Sequence, residues 1–403
     1  MQKPKARFGV LPRIFVAIVL GVVFGLASPD CGVRALNCFG ATFAQFIKFI
    51  VPFIILGFVT PAIAETGRSA GRTLLLTVAI AWCSTVLFGY LAYFASSAVF
   101  PSVISGSLGD ASQAKEFPAY FKIAIPPAMD VVTALAVAFM FGFAIVATNS
   151  ETLRRVASET RNVVNFVLGR AFVPLLPVYV FTMMADLSAS GKLLVVGESC
   201  VKIMAVAVAM SIVVLLVQFS IAGAVAGKNP LKALWTMLPA YLTGLGCCSS
   251  AATIPYTMAQ ARKNGVSDET SALVIPLCSN IHMAGSMSNM VVYAAGLLAL
   301  MGRPLDAAAF TEFILMVSVI AVASPGVPGG IVLASATVAE TALGFTSESY
   351  AIMVAIYMAL DGMGTACNLT GDGAIALVVD RFSRPSGEVP SFAPDGYGAI
   401  NKR

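Results

Sequence analysis

An all-α polytopic membrane protein is the fold class this chain predicts, and three observations carry it. Hydrophobic residues make up 58% of its 403 residues and charged ones only 11%, less than half of the roughly 25% charged in soluble domains. Apolar stretches of spanning length recur along the chain, separated by loops that are alternately basic and not. Two further apolar segments are broken near their middles by small residues and Pro. At about 20 residues per span, a chain of this length holds roughly eight spans and short loops, and a mean hydropathy of +0.88 asks for lipid as solvent. No separate soluble domain is visible, so residues 1–403 read as a single membrane domain in a multi-pass protein of the cell membrane, inner or plasma.

The first apolar stretches run at 10–28, 41–64, 73–100, 118–148, 163–188 and 193–226, each long enough to span. Lys3, Lys5, Arg7 and Arg13 precede or open the first; no small-residue cleavage site follows, so it reads as an uncleaved helix with a cytoplasmic N-terminus. Alternate loops should then be basic. Arg68 and Arg72, then Arg154, Arg155 and Arg161, then Lys228 and Lys232, then Arg262 and Lys263, and finally Arg381, Arg384, Lys402 and Arg403 fall where that orientation requires. Both termini are therefore expected in the cytoplasm, with residues 385–403 a Pro, Ser and Gly-containing cytoplasmic tail. The net charge of +5 belongs to these loops, and with no basic patch of interleaved aromatics nucleic acid is excluded as a partner.

After Lys232 the simple pattern breaks. Residues 233–260 are apolar but carry Gly244, Gly246 and Cys-Cys-Ser-Ser-Ala-Ala-Thr-Ile-Pro at 247–255, with basic residues at both ends, so the segment should enter the membrane and turn back. Residues 310–345 are interrupted by Ser-Pro-Gly-Val-Pro-Gly-Gly at 324–330. Pro and Gly there end a helix and free backbone groups, which hydrocarbon tolerates only around a protein-enclosed cavity. Two interrupted segments entering from opposite sides point to inverted repeats meeting at a binding site. Between them, residues 275–300 open with Ser279, Asn280, His282, Gly285, Ser286 and Ser288, which argues for local unwinding. His282 is the only His. It fits either a buried neutral imidazole or a group that carries a proton or borders a cation.

The final apolar segment holds Asp361, Thr365, Asn368 and Asp372. At about 100° per residue the last three lie roughly 40°, −20° and 20° from Asp361, so they form one stripe about 16 Å long. A carboxylate at membrane depth costs at least ~2.5 kcal/mol, and tolerated ones face a cavity, an ion path or a partner. The eight Cys have no metal-ligand spacing. Cys247 and Cys248 read as small packing residues, and Cys31 and Cys38, flanking a short loop, could pair on an oxidising side. No nucleophile is set beside a base and an orienting group, so an enzyme is not expected.

Ser249 to Pro255, Asn280 to Ser286, Gly326 to Gly330 and Asp361 to Asp372 together resemble, in order, the four signature regions of the dicarboxylate/amino acid:cation symporters, the glutamate-transporter-like family. The resemblance covers nearly the whole chain. It implies eight transmembrane helices, two re-entrant helical hairpins at 233–260 and 310–345, and a homotrimer surrounded by membrane lipid. It also implies an elevator in which a transport domain (73–100 and 193–381) moves against scaffold and trimerisation helices (10–70 and 118–190). Carried over by position, Asp361 would bind the substrate ammonium beside Gly364, Thr365 and Asn368. Ser249 and Ser250 in the first hairpin, Val327 and Gly329 in the second, with Asn368 and Ser286, would hold the α-carboxylate. Two sodium ions are implied. One would sit among Asp372, Asn368 and carbonyls near Cys278 and His282. The other would lie under the second hairpin at carbonyls of Ala321, Val322 and Ser324, near Asn280.

Departures from the family pattern shape the expectation. Acidic-substrate members have an Arg three residues after the amine-binding Asp; here that residue is Gly364. Burying a second carboxylate without a cation would strand a charge, which predicts a small neutral amino acid resembling serine, threonine or alanine. Tyr357 stands where a further helix Asp is common, and Ala284 replaces the Asp that helps bind a third sodium, so that site is not expected. Ala81 stands where a Tyr is common, near Ser84 and Thr85. The alternatives are proton coupling through His282, transport of another carboxylate, or a sensor or channel that does not concentrate its ligand.

Overall fold

A computed structural model describes residues 10–66, 72–104, 116–129, 131–191, 193–247, 250–322 and 329–383. Helices α1 (Val10–Ala27), α2 (Asp30–Thr66), α3 (Arg72–Val103), α4 (Val131–Thr148) and α5 (Glu151–Val167) come first. Five π-helical residues, Leu168–Phe172, join α5 to α6 (Val173–Ala189), and α7 (Leu193–Ala226) follows. Then come α8 (Pro230–Cys247), α9 (Ser250–Lys263), α10 (Asp268–Ile281), α11 (Ala284–Leu300) and α12 (Ala307–Val322). Two short helices, α13 (Gly330–Ala334) and α14 (Ala336–Leu343), precede the long α15 (Ser347–Ser383). No strand occurs among the described residues. Four stretches are long and apolar enough to cross a membrane by length and composition: Thr73–Val103, Gly197–Ala226, Asp268–Leu300 and Ile352–Ser383.

Two packing groups organise these helices. In one, α1 lies along α6 and α2 packs on α4, α5 and α6. Small residues allow the α1–α6 approach: a Cβ on Gly21 would meet the Phe181 carbonyl oxygen at 2.6 Å and the Met184 Cβ at 2.8 Å, the close backbone contact that small residues permit between membrane helices. In the other, α11 and α15 form a centre against which α3, α7, α8, α9 and α10 pack. That centre is almost wholly buried, Tyr293 of α11 being its largest enclosed side chain.

The ends of the second group are tied by polar contacts. Ser267 caps α10 through the Thr270 N–H and gives its own hydroxyl and N–H to Asp380 Oδ1 on α15, at 2.7 and 3.1 Å. The Lys228 ammonium and the Asn264 amide tie the base of the α8–α9 pair, the latter by donating to the Ala233 carbonyl at 2.9 Å. Arg262 pairs with Asp268 at 2.7 Å across the turn into α10. The break expected near 280–286 lies at His282 and Met283, between α10 and α11.

Two boundaries and one cysteine pairing differ from the sequence reading. The stretch 118–148 is not one helix: residues 116–129 lack helical structure, and α4 begins at Val131. Pro118, Pro126 and Pro127 lack N–H donors and push their preceding residues out of the helical region. α2 begins at Asp30, eleven residues before the apolar stretch. Its polar first turns hold the irregular segment, Asn37 donating to the Phe117 carbonyl at 2.7 Å and Arg34 to the Pro118 carbonyl at 3.0 Å. The expectation that Cys31 and Cys38 could pair is corrected by the same helix. Both are free thiols on α2, two turns and about 10 Å apart along its axis, beyond disulfide reach. The Cys38 thiol instead donates to the Arg34 carbonyl at 3.4 Å.

Candidate substrate and cation site

The discontinuity between α10 and α11 sets up the site. At the break, the negative carbonyl end of α10 and the positive N–H end of α11 lie inside one membrane-length segment, Asp268–Leu300. Met283, at the head of α11, supplies no side-chain cap. α15 supplies it instead: Asn368 Oδ1 accepts the Gly285 N–H at 2.8 Å and the Ser286 N–H at 3.1 Å. The same amide donates to Ser286 Oγ at 2.9 Å and to Met283 Sδ at 3.3 Å. Asn368 thus satisfies, from another helix, backbone donors that the interior would otherwise leave unpaired.

Tyr357 lies beside both Ser286 and Asp361. Asp361 Oδ2 accepts the Gly329 N–H at 3.1 Å, from just before α13. Tyr293 stands edge-on to Tyr357, ring centroids 6.2 Å apart, with its own hydroxyl buried and unpartnered. Asp361 is buried, and no Lys, Arg or His pairs with it among the described residues. Gly364, on the same face, lies against α11: a Cβ there would stand 3.1 Å from Ser286 Oγ and 3.5 Å from Asn289 Nδ2. Thr365 is buried beside them.

One turn beyond Asn368, Asp372 Oδ1 accepts from His282 Nδ1 at 2.9 Å, both side chains fully enclosed. A carboxylate only accepts, so Nδ1 carries the proton toward Asp372, which makes Nε2 of a neutral ring an acceptor. Two donors meet it there, Ser84 Oγ at 3.1 Å from α3 and Gln218 Nε2 at 3.2 Å from α7. Thr85 Oγ1 accepts the Met283 N–H at 3.2 Å and fastens the same break. Asp372 Oδ2 and Thr370 Oγ1 are buried with no hydrogen-bond partner. An orphaned carboxylate oxygen in a dry interior suits a hard cation.

Several expected residues are therefore together: Asp361, Gly364, Thr365, Asn368 and Asp372 on α15, Ser286 and His282 at the break, and Gly329 beside Asp361. Cys278 is buried, and its carbonyl accepts the His282 N–H at 2.8 Å. Ser250 opens α9, which packs on α15, and its carbonyl accepts the Thr253 hydroxyl at 2.9 Å. Ala321 is buried near the end of α12, and Val322 is that helix's last residue. The Asn280 side chain is exposed and turns back to the Pro276 carbonyl at 2.9 Å. Ser249, Ser324 and Val327, like the tail 385–403, lie outside the described residues. Sequence reasoning passed over Gln218, Asn289 and Tyr293. Gln218 carried a legible signal, a lone amide in the otherwise apolar second half of α7.

A sequence model of the Sodium:dicarboxylate symporter family matches residues 10–382. Among characterised proteins, the serine/threonine transporter SstT of Acinetobacter baumannii is 27% identical over 402 residues, covering 94% of this chain and 98% of the relative. SstT of Streptococcus thermophilus is 26% identical, covering 81% and 84%. SstT of Acinetobacter baylyi is 24% identical, covering 94% and 98%.

Proposed function

Because the chain belongs to the sodium:dicarboxylate symporter family, a family of membrane transporters rather than enzymes, we propose that it carries a small neutral amino acid, serine or threonine, across the cell membrane together with sodium. The observation that carries this reading is Asp361. A buried carboxylate with no cationic partner among the described residues, bonded to the Gly329 N–H and flanked by Tyr357, is completed by a substrate ammonium. Gly364 leaves no cation for a second carboxylate. The relatives named as serine/threonine transporters support the same substrate class, and alanine is the next smallest candidate.

In this reading Thr365 lines the amine pocket, and the α-carboxylate meets backbone donors of the hairpin tips around Ser249, Ser250 and Val327. Asn368 is engaged as the cap of α11, so it holds that helix end, and its positive dipole, toward the carboxylate. Sodium travels as co-substrate. One ion takes the free Asp372 Oδ2 with carbonyls from the end of α10 around Cys278, and a second sits under the second hairpin at Ala321, Val322, Ser324 and the neighbourhood of Asn280. The pairing of Asp372 Oδ1 with His282 favours one specific variant, in which a proton on that pair replaces one sodium.

Eight spans, re-entrant α8–α9 and α12–α14 hairpins, cytoplasmic termini and a homotrimer in lipid complete the proposal. The two packing groups, α1–α2–α4–α5–α6 and α3 with α7 to α15, support an elevator in which the second moves against the first. Uptake by purified protein in vesicles tests the function. Serine should accumulate against its gradient under inward sodium and should not do so when sodium is equal on both sides. Driving by a proton gradient alone would select the proton variant, and equilibration without concentration would point to a channel or sensor.

A further inference from the structure

On the outer face of the second packing group, a cavity of about 560 Å³ lies between α3, α7 and α15, within the usual ~300–1,000 Å³ of small-molecule sites. Its walls are apolar, with Trp82 and Leu87 from α3, Ile221 from α7 and Val378 from α15. Trp82, Leu87 and Ile221 are exposed on segments of membrane-spanning length, so the mouth opens toward lipid. No charged side chain lines it. At its floor are Ser84 and Gln218, the two residues that donate to His282 Nε2.

Gln218 is the telling group. Its amide nitrogen is committed, bonding Ser84 Oγ at 3.2 Å and His282 Nε2 at 3.2 Å. The orientation follows from the ring: with Nδ1–H given to Asp372, Nε2 needs donors, which points the NH₂ inward. Oε1 is left buried and unpartnered, although the side chain is only 6% exposed. Gln218 lines the apolar cavity, and its unpaired carbonyl calls for a donor brought in from outside.

The geometry points to a binding site for a neutral, hydroxyl-headed membrane amphiphile, entering from the lipid phase with its chain along Leu87, Ile221 and Val378 and its O–H donated to Gln218 Oε1. A charged headgroup finds no counter-ion, and a pure hydrocarbon leaves Oε1 unpaired. The bound hydroxyl would fix the Gln218 amide and, through Nε2, the ring that holds Asp372. The site is independent of the transported substrate.

The chain has two Trp, so Trp235→Phe leaves Trp82 as the sole indole, at the cavity wall. The test is quenching of Trp82 in nanodiscs by 10-bromo-1-decanol, with 1-bromodecane as the control lacking a hydroxyl. The alcohol should quench saturably, and the alkane only in proportion to its concentration in the bilayer. Gln218→Met removes the acceptor and should shift the alcohol curve at least tenfold to higher concentration. Ile221→Phe, which narrows the mouth and leaves the polar floor intact, should remove the saturable component even if the Gln218 variant fails to fold. Indistinguishable, non-saturating curves for alcohol and alkane in the parent overturn the proposal, as does a folded Gln218→Met protein that binds as the parent does.

Discussion

Replacing Asn368 with Ala removes a helix cap that the sequence places 82 and 83 residues away from the donors it serves. The Gly285 and Ser286 N–H groups then lose the side-chain acceptor that serves them both, and Ser286 Oγ loses the amide donor. At about 1–3 kcal/mol for each buried unsatisfied group, the loss is about 2–6 kcal/mol, less whatever an entering water restores. Cys278 and Cys367 are buried free thiols, so once the accessible thiols, Cys31 and Cys83 among them, have been blocked in the native state, a thiol-reactive fluorogenic dye reports unfolding of this region. The midpoint should fall by on the order of 5–10 °C. Asn368→Asp keeps the acceptor oxygen and should recover more than half of that loss. It should still fail to transport, because it adds a third carboxylate between Asp361 and Asp372. An Asn368→Ala midpoint within about one degree of the parent would refute the cap.

Other consequences follow from the same contacts. Asp361→Asn keeps an acceptor for the Gly329 N–H but loses the ammonium partner, so serine binding should weaken by about 30-fold or more while the unfolding midpoint holds; calorimetry on both proteins checks it. Serine uptake should be blocked by threonine and untouched by excess aspartate, and tight aspartate binding would defeat the argument from Gly364. His282→Ala leaves a second Asp372 oxygen without its donor and should cost about 1–3 kcal/mol, much of it restored by adding Asp372→Asn, as a double-mutant cycle on thermal unfolding measures. Ser267→Ala removes the α10 cap and the hydroxyl's bond to Asp380 while keeping the backbone one, and should cost ~1 kcal/mol or somewhat more, with uptake retained.

How much was legible depended on whether a feature is local. The limits of α7 at 193 and 226 follow from hydropathy alone, and the break at His282–Met283 from a cluster of small and polar residues in an apolar run. The stripe from Asp361 to Asp372 was visible because helical periodicity puts those residues on one face. The helical start of α2 at Asp30 was not, because its first turns are polar and are held by the segment around Phe117, 80 residues away. Three prolines kept residues 116–129 from continuing the apolar stretch as helix. The role of Asn368 as a cap, the grouping of Ser286 with Tyr357 and Asp361, and Gln218 beneath His282 all depend on which helices pack together. No spacing within one helix encodes that.

The central claim is that Asp361 and Asp372 couple a neutral amino acid to sodium, and counter-gradient uptake tests it most directly. In vesicles of purified protein with sodium high outside, internal serine should rise above its external concentration and collapse when a sodium ionophore dissipates the gradient. Serine that only equilibrates, at the same rate with and without the sodium gradient, would contradict the account.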